Sequence, residues 1–221
     1  MKKQHDAHQI ERTKEKYIEK IMPVLRKQGI TTLKMDDISR HMDISKATLY
    51  KYFSSKDEIM ERVVAVYTGY MVNADTITNE NLSFHQRFQK IYEQSMLIAI
   101  YISDAFLMDL KNYYPHLFET ISQARFDRIT NLKQFFDEGI DLKVFQNIHY
   151  QMFMLQDDVV LRKIMDPILL NQLDLTLKQS LFEYYTLKKL QLFKQDHLED
   201  SDNEFMKNTI SQIVKKISMH I

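Results

Sequence analysis

Cysteine and tryptophan are absent from the 221 residues, and there are only three glycines and three prolines. Without cysteine there is no disulfide framework, no thiolate nucleophile and no cysteine-ligated zinc or iron-sulfur site, so nothing ties the chain to an oxidising compartment. Scarce glycine argues against sheet proteins and phosphate-binding α/β folds, whose tight turns need residues at positive φ. An all-α fold is the expectation. Long apolar runs are missing too. The longest, Met96 to Ile102, has seven residues, against the roughly 20 that a spanning helix requires. Residues 1 to 9 are polar and charged, with no apolar stretch of signal-peptide length, so the expected compartment is the cytoplasm and no membrane partner is expected.

Neither sign of charge is in excess overall, with 30 Lys+Arg against 30 Asp+Glu, but the two kinds are unevenly spread. Residues 1–63 hold 14 basic and 10 acidic side chains, a net of +4, which leaves 16 against 20 and a net of −4 for residues 64–221. A basic module joined to an acidic one implies that the first meets a polyanion and the second does not. Two domains, 1–63 and 64–221, are expected on that basis. Hydrophobic residues at 44% and charged residues at 27% are enough to build a packed core and put the chain outside the disordered class.

Periodicity supplies the elements. Ile10, Tyr17, Ile18, Ile21, Met22 and Leu25 recur at helical spacing over residues 9–28, with Pro23 expected to bend that helix and Gly29 to end it. Two short segments follow, Met35 to Met42 and Lys46 to Phe53, separated by Asp43, Ile44 and Ser45, and then a connecting helix from Asp57 to about Ala74. Three closely spaced short helices followed by a long one outline a helix-turn-helix module, with Ile38, Ile44, Leu49 and Phe53 as its small core. Ser45 suits the N-cap of the second short helix, because its hydroxyl can accept from a backbone N–H of the first turn. Asp43 sits where a left-handed residue is needed, and Asp tolerates that conformation better than most. Beyond a loop at Asn79 to Leu82, helices are expected at about 83–102, 104–112, 117–138, 147–165, 169–193 and 203–219, punctuated by Pro115, Gly139 and Pro167. Gln195 to Asn203 reads as an acidic, mobile connector.

Within the amino-terminal module, Ile44-Ser45-Lys46-Ala47-Thr48-Leu49-Tyr50-Lys51-Tyr52-Phe53, with Lys56 three residues beyond, combines a Ser, a Thr-Leu-Tyr, a Phe and a Ser-Lys pair. In this pattern residues 9 to 65 strongly resemble the DNA-binding domain of TetR-family transcriptional regulators. The resemblance implies a three-helix DNA-binding domain followed by a variable helical domain for ligand binding and dimerisation. It also implies double-stranded operator DNA, a second copy of the chain and a small-molecule effector as partners. Three positions depart from the family pattern. Lys34 stands where a Thr or Ser usually caps the first short helix, Asp43 replaces the usual turn glycine, and Ala47 replaces a frequent glycine of the recognition helix.

A helix opening at Ser45 would point its first turns into the major groove, where Lys46, Ala47 and Thr48 are close enough to read base edges. Tyr50, Lys51 and Tyr52 lie further along, with hydroxyl or ammonium ends suited to phosphate oxygens. Lys56, at the start of the next helix, would add its charge to exposed backbone N–H groups as a phosphate site, and Lys34 is expected to touch phosphate in place of capping. Lys2, Lys3, Lys14 and Lys16 would add salt-dependent attraction. The Ala47 methyl either meets a thymine methyl or only fills space.

In the acidic domain Met and Phe are abundant. Met96, Phe106, Met108, Phe135, Phe136, Met152 and Phe153 are the candidates to line a pocket for an apolar effector, and ordinary bundle core is the competing assignment. Tyr113 and Tyr114 sit either at a pocket mouth or on the surface. Asp157, Asp158 and Arg162 interrupt an apolar helix, with a solvated face as their plain explanation. Leu155, Val159, Val160, Leu169, Leu170, Leu173, Leu177, Leu181, Tyr184 and Tyr185 exceed what one buried face of each helix needs, so helices 147–165 and 169–193 are the expected dimer surface.

Enzyme readings find little support. The eight histidines are scattered, with only His5 and His8 close together in a terminus expected to fray, and neither a glycine-rich phosphate loop nor a nucleophile elbow is present. No catalytic residue, metal or cofactor is expected. The reading is a ligand-responsive DNA-binding regulator, most simply a homodimeric repressor released from a palindromic operator by an apolar or amphipathic effector. The alternative is a helical adaptor that does not read DNA, which Lys46, Lys51 and Lys56 would favour by pointing at acidic neighbours instead of lining one open face.

Overall fold

The structure is a computed structural model that describes residues 2–72, 81–198 and 203–218, with side chains described for 8–72, 81–198 and 203–217. The side chains expected of Lys2, Lys3 and His5 lie outside the described residues. So do the last residues of the expected connecting helix (73–74), part of the expected loop (79–80), residues 199–202 of the acidic connector and the final position of the last helix.

All described elements are helical apart from one isolated antiparallel bridge between Phe145 and Phe193. In chain order they are α1 (Lys2–Gln28), α2 (Met35–His41), α3 (Lys46–Tyr52), α4 (Lys56–Val72), α5 (Phe84–Tyr101), α6 (Asp104–Tyr113), α7 (Pro115–Asn131), α8 (Lys133–Asp141), α9 (Tyr150–Ile164), α10 (Pro167–Gln172), α11 (Leu177–Leu192) and α12 (Asn203–Ser218), with a short 3-10 turn at Gln195–His197. The last of these puts regular structure where a mobile connector was expected. Among the described residues no helix is long and apolar enough to cross a membrane.

The chain forms two compact units. One contains Met1–Tyr70 and Tyr101–Ala124, and the other contains Met71–Ile100 and Arg125–Ile221.

In the first unit, α1 runs through Pro23 as one helix and starts at Lys2 instead of near residue 9. It ends where expected, at Gly29 with φ +74°, whose N–H bonds the Leu25 carbonyl at 2.9 Å. Ile18, Ile21 and Leu25 form its buried stripe, joined by Ile38, Met42, Leu49, Phe53, Ile59, Met60 and Val63 from the following helices. Ile44 is only half-buried and Met42 is fully buried in its stead. From the same unit, Phe106 of α6 packs edge-on against Tyr67 of α4 with ring centroids 5.5 Å apart.

The second unit is built around stacked and edge-to-face rings. Phe145 alone meets Phe193 at 5.0 Å, Phe135 at 5.1 Å and Phe84 at 5.1 Å. Each buried ring of this kind contributes about 1.5–3 kcal/mol. The bridge to Phe193 is fastened by Gln146 N–H to the Leu192 carbonyl (2.7 Å) and Lys194 N–H to the Val144 carbonyl (3.0 Å).

Three boundaries differ from expectation. The single helix foreseen over 117–138 divides at Leu132, whose N–H is shared between the Arg128 and Ile129 carbonyls at 3.3 and 3.2 Å. Gly139 does not punctuate the chain. It lies inside α8, where a Cβ would overlap the Phe145 ring, and the turn comes at Lys143 with φ 60°. The helix foreseen over 169–193 becomes α10 and α11, separated by Asp174 at φ 54° and restarted by Thr176, which caps the Gln179 N–H while the Gln179 side chain accepts from the Thr176 N–H.

Candidate nucleic-acid interface

The turn between α2 and α3 forms as its residues dictate. Asp43 takes the left-handed conformation (φ 60°), with its N–H on the Arg40 carbonyl at 3.0 Å, and Ile44 N–H reaches the Ser39 carbonyl at 3.0 Å. Ser45 Oγ then accepts from Thr48 N–H at 3.0 Å and lies 2.8 Å from Thr48 Oγ1, so the first turn of α3 is capped and the Thr48 hydroxyl is oriented by it. Lys34 cannot cap α2 in the same way, because an ammonium has no acceptor. Asp37 supplies the other half of the motif by accepting from Lys34 N–H at 3.0 Å, and that bond holds the Asp37 carboxyl below its ordinary pKa.

Leu49 and Phe53 anchor α3 in the core, which turns its other face outward. Ser45, Lys46, Ala47 and Lys51 are exposed, Tyr50 is 48% exposed, and Thr48 and Tyr52 are half-buried. Tyr52 leans edge-on against Tyr17 of α1 (5.4 Å), with Lys51 Nζ 5.8 Å from its ring centre. Lys34 is exposed at the start of α2.

Two of the expected DNA contacts already have partners. Lys46 Nζ lies 2.7 Å from Asp36 Oδ1, an exposed pair whose carboxylate raises the lysine pKa. Such a pair contributes little and is screened by salt. Lys56 is different. Its ammonium donates to the Ile30 carbonyl at 2.7 Å, the side chain is half-buried, and desolvation lowers its pKa despite the charges of Asp109 and Asp57.

The scaffold behind this surface is held by Glu58. It takes Lys14 Nζ at 2.8 Å, Ser54 N–H at 2.7 Å and Ser54 Oγ at 2.9 Å, and these bonds lower its pKa to about 2. Lys14, expected to attract DNA, is therefore a structural tie between α1 and the α3–α4 turn.

The candidate effector-pocket residues separate. Met96, Phe135, Phe136 and Phe153 are buried in the second unit, whereas Phe106 is core in the first. Met108 and Met152 are 59% and 58% exposed, so they project to solvent and line no interior. Tyr113 is exposed, and Tyr114 Oη donates to Asp57 at 3.1 Å.

The interior of the second unit holds a polar cluster that includes Asp157, which is buried and not on a solvated face. Lys188 Nζ lies 3.1 Å from Asp157 Oδ1 and 3.1 Å from the Phe153 ring centre, and it donates to the Phe153 carbonyl. Tyr184 Oη and Ser95 Oγ donate to the two Asp157 oxygens at 3.2 and 3.0 Å. Arg128 reaches Ser95 Oγ at 2.9 Å and Gln94 Oε1 at 2.7 Å. Burial lowers the Lys188 pKa to about 8, against the pull of Asp157. Burial likewise raises those of Tyr92 and Tyr184. Asp158 pairs with Arg125 and with Arg162. The sequence does carry a signal for this cluster: Lys188 occupies an otherwise apolar stripe with Leu181, Tyr184, Tyr185 and Leu192.

Comparison with known proteins agrees with this geometry. The family model for bacterial regulatory proteins of the tetR family matches residues 18–63, which span the buried stripe of α1 through the first half of α4. An uncharacterised HTH-type transcriptional regulator, YvaF of Bacillus subtilis (strain 168), is 25% identical over 150 residues, covering 65% of this chain and 76% of its own. Among solved structures, the ketosteroid transcriptional regulator KstR2 of Mycobacterium tuberculosis superposes with a TM-score of 0.60 at 15% identity, covering 82% of this chain and 95% of its own. A transcriptional regulator from Saccharomonospora viridis in complex with choline does so with a TM-score of 0.62 at 12% identity, covering 84% and 100%. The capped, outward-facing α3 thus lies inside the segment that matches the tetR-family model, and the chain as a whole shares the helical fold of these transcriptional regulators.

Proposed function

We propose that the protein is a homodimeric repressor that occupies a palindromic operator through α3 and is released when a small apolar or amphipathic molecule binds residues of the second unit. In this reading residues 1–63 contact DNA, and residues 64–221 dimerise and bind the effector. The observation that carries it is the disposition of α3: Leu49 and Phe53 are wholly buried while Lys46, Ala47 and Tyr50 face solvent and the Ser45 cap orients Thr48. A helix so presented matches the dimensions of the major groove.

Dimerisation is supported by large apolar side chains that the single chain leaves about half exposed. Met152, Leu155 and Val159 recur on one face of α9, Leu187 and Leu190 on α11, and α10 buries no residue at all. Leu181, Tyr184 and Tyr185, expected in the same interface, belong instead to the core. Two copies joined through such a face would carry two α3 helices, as a palindrome requires. The effector class is supported by the buried aromatic set Phe135, Phe136 and Phe153 beside a polar cluster, and by the ketosteroid and choline named for the two solved relatives. Release follows from population shift: an effector that binds better to a conformation with misplaced α3 helices lowers DNA affinity by its differential binding energy.

The pairing of Lys46 with Asp36 favours the adaptor reading, in which the amino-terminal module does not engage DNA. Because that pair is exposed, phosphate can compete for the lysine. Gel-shift titration with duplex DNA from upstream of the chain's own coding region separates the two readings. A complex that is sequence-selective and weakens steeply with salt supports the repressor, and absence of any such complex overturns it.

A further inference from the structure

Both backbone polar groups of Ile30 are held by oppositely charged side chains from two different helices of the first unit. Its N–H donates to Asp109 Oδ2 of α6 at 2.5 Å, and its carbonyl accepts from Lys56 Nζ, the first residue of α4, at 2.7 Å. Thr31 N–H adds a second, longer bond to the same Asp109 oxygen at 3.3 Å. Gly29 completes the arrangement. It sits at φ +74°, and a Cβ built on it would stand 2.5 Å from Asp109 Oδ2, so only glycine lets the carboxylate approach the peptide. At the N-cap of α6, Ser103 Oγ accepts from Phe106 N–H at 3.2 Å and donates to the Arg26 carbonyl at 3.0 Å, which satisfies a carbonyl in the last turn of α1.

We infer that Asp109 and Lys56 are positioning residues for DNA reading: together they clamp Ile30, and thereby the segment that leads from α1 into α2, and Lys56 is spent on this clamp instead of on a DNA phosphate. The inference rests on the DNA-binding reading and departs from the expectation that Lys56 touches the operator. Three observations favour the clamp over a phosphate contact. The ammonium already has a short bond to a carbonyl, its side chain is half-buried, and the charge of Asp109, which holds the N–H of the same residue, acts favourably on it. A phosphate would have to take the ammonium from the Ile30 carbonyl and leave that carbonyl only the long 3.4 Å bond from Leu33 N–H, a costly exchange in a part-buried site.

The consequence is geometric. Residues 29–34 join the end of α1 to the start of α2, and α2 packs against α3, with Ile38, Met42 and Leu49 buried. If Ile30 is released, the module must be reordered each time it docks, and affinity falls by the fraction of molecules that hold the competent arrangement.

The test uses the full chain and upstream duplex DNA, with Asp109→Asn, Lys56→Met and the double variant. The expected result is roughly tenfold weaker binding for each single variant, with an unchanged slope of log affinity against log salt. The double variant should be little worse than either single one, because both act on one residue. Amide exchange at Ile30 and Thr31, read without DNA, should be faster in Asp109→Asn than in the wild type. A drop in slope of about 0.9 for each chain bound for Lys56→Met alone, with Asp109→Asn binding like the wild type, overturns the clamp and returns Lys56 to the phosphate contacts. Unchanged amide exchange overturns it as well. If the wild-type chain forms no salt-dependent complex, the DNA-binding reading fails, and the exchange result decides the clamp on its own.

Discussion

Lys188 and Asp157 form an ion pair in the interior of the second unit, with Nζ and Oδ1 3.1 Å apart and neither side chain open to solvent. Two charges in such a place are costly to strand and much less costly to remove together. Lys188→Met alone should therefore destabilise the fold by about 3–5 kcal/mol, because it leaves a carboxylate buried without its cation. Adding Asp157→Leu should recover more than half of that loss. Urea unfolding of the wild type, Lys188→Met, Asp157→Leu and the double variant checks this, and a double variant as unstable as the sum of the two single ones contradicts it.

Glu58 predicts a dependence on pH. Its bonds from Lys14 and Ser54 lower its pKa from 4.5 to about 2. A carboxylate whose folded pKa is depressed contributes stability that is complete above its ordinary pKa and is lost as pH falls toward the folded value. Wild type should exceed Glu58→Gln by about 2 kcal/mol at pH 7, and the gap should close between pH 4.5 and pH 2. Unfolding curves at a series of pH values measure the gap directly. A gap independent of pH means that the hydrogen bonds matter through shape and not through charge.

Thr48 and Lys51 should separate base reading from phosphate anchoring. Thr48→Ala is expected to relax preference at one base pair of each half-site by about 1–3 kcal/mol and to leave the salt dependence as it was. Lys51→Ala should weaken all sequences alike and reduce the salt slope by about 0.9 for each chain bound. Titrations against a panel of single-base variants at several salt concentrations distinguish them. The same response from both substitutions would mean that α3 does not lie as proposed.

Much of the amino-terminal module is legible in its sequence. The Ser45 cap and the left-handed Asp43 follow from side-chain chemistry at fixed offsets, and Leu49 and Phe53 follow from helical spacing. The restart of α11 is legible too, in Asp174 and the Thr176-x-x-Gln179 pair, but a continuous apolar pattern masks it. The division at Leu132 has no local signal, since no breaker stands there. Gly139 carries a misleading one, because its lack of a side chain serves the approach of Phe145 and not a turn. The bond of Lys56 to Ile30 is illegible for a different reason. The partner of its ammonium is a backbone carbonyl 26 positions away, and only tertiary structure brings the two together.

The apolar face of α9 and α11 yields a prediction about assembly. Leu187 is 57% exposed in the single chain, so Leu187→Glu should leave the monomer folded. A charge in the middle of that face should nevertheless split the dimer, since an unpaired carboxylate is costly in an apolar interface. Sedimentation equilibrium should show a dimer for the wild type and a monomer for the variant, and operator affinity should fall with dimerisation. A variant that stays dimeric puts the interface elsewhere.

The central claim is that α3 lies in the major groove of duplex DNA, and methylation interference on the upstream duplex tests it most directly. Methyl groups on guanine N7 project into the major groove and those on adenine N3 into the minor groove. The account predicts that N7 methylation blocks binding at two clusters about one helical turn apart, related by the symmetry of a palindrome, and that N3 methylation between them has little effect. Interference confined to adenine N3, or none at either groove, would contradict it.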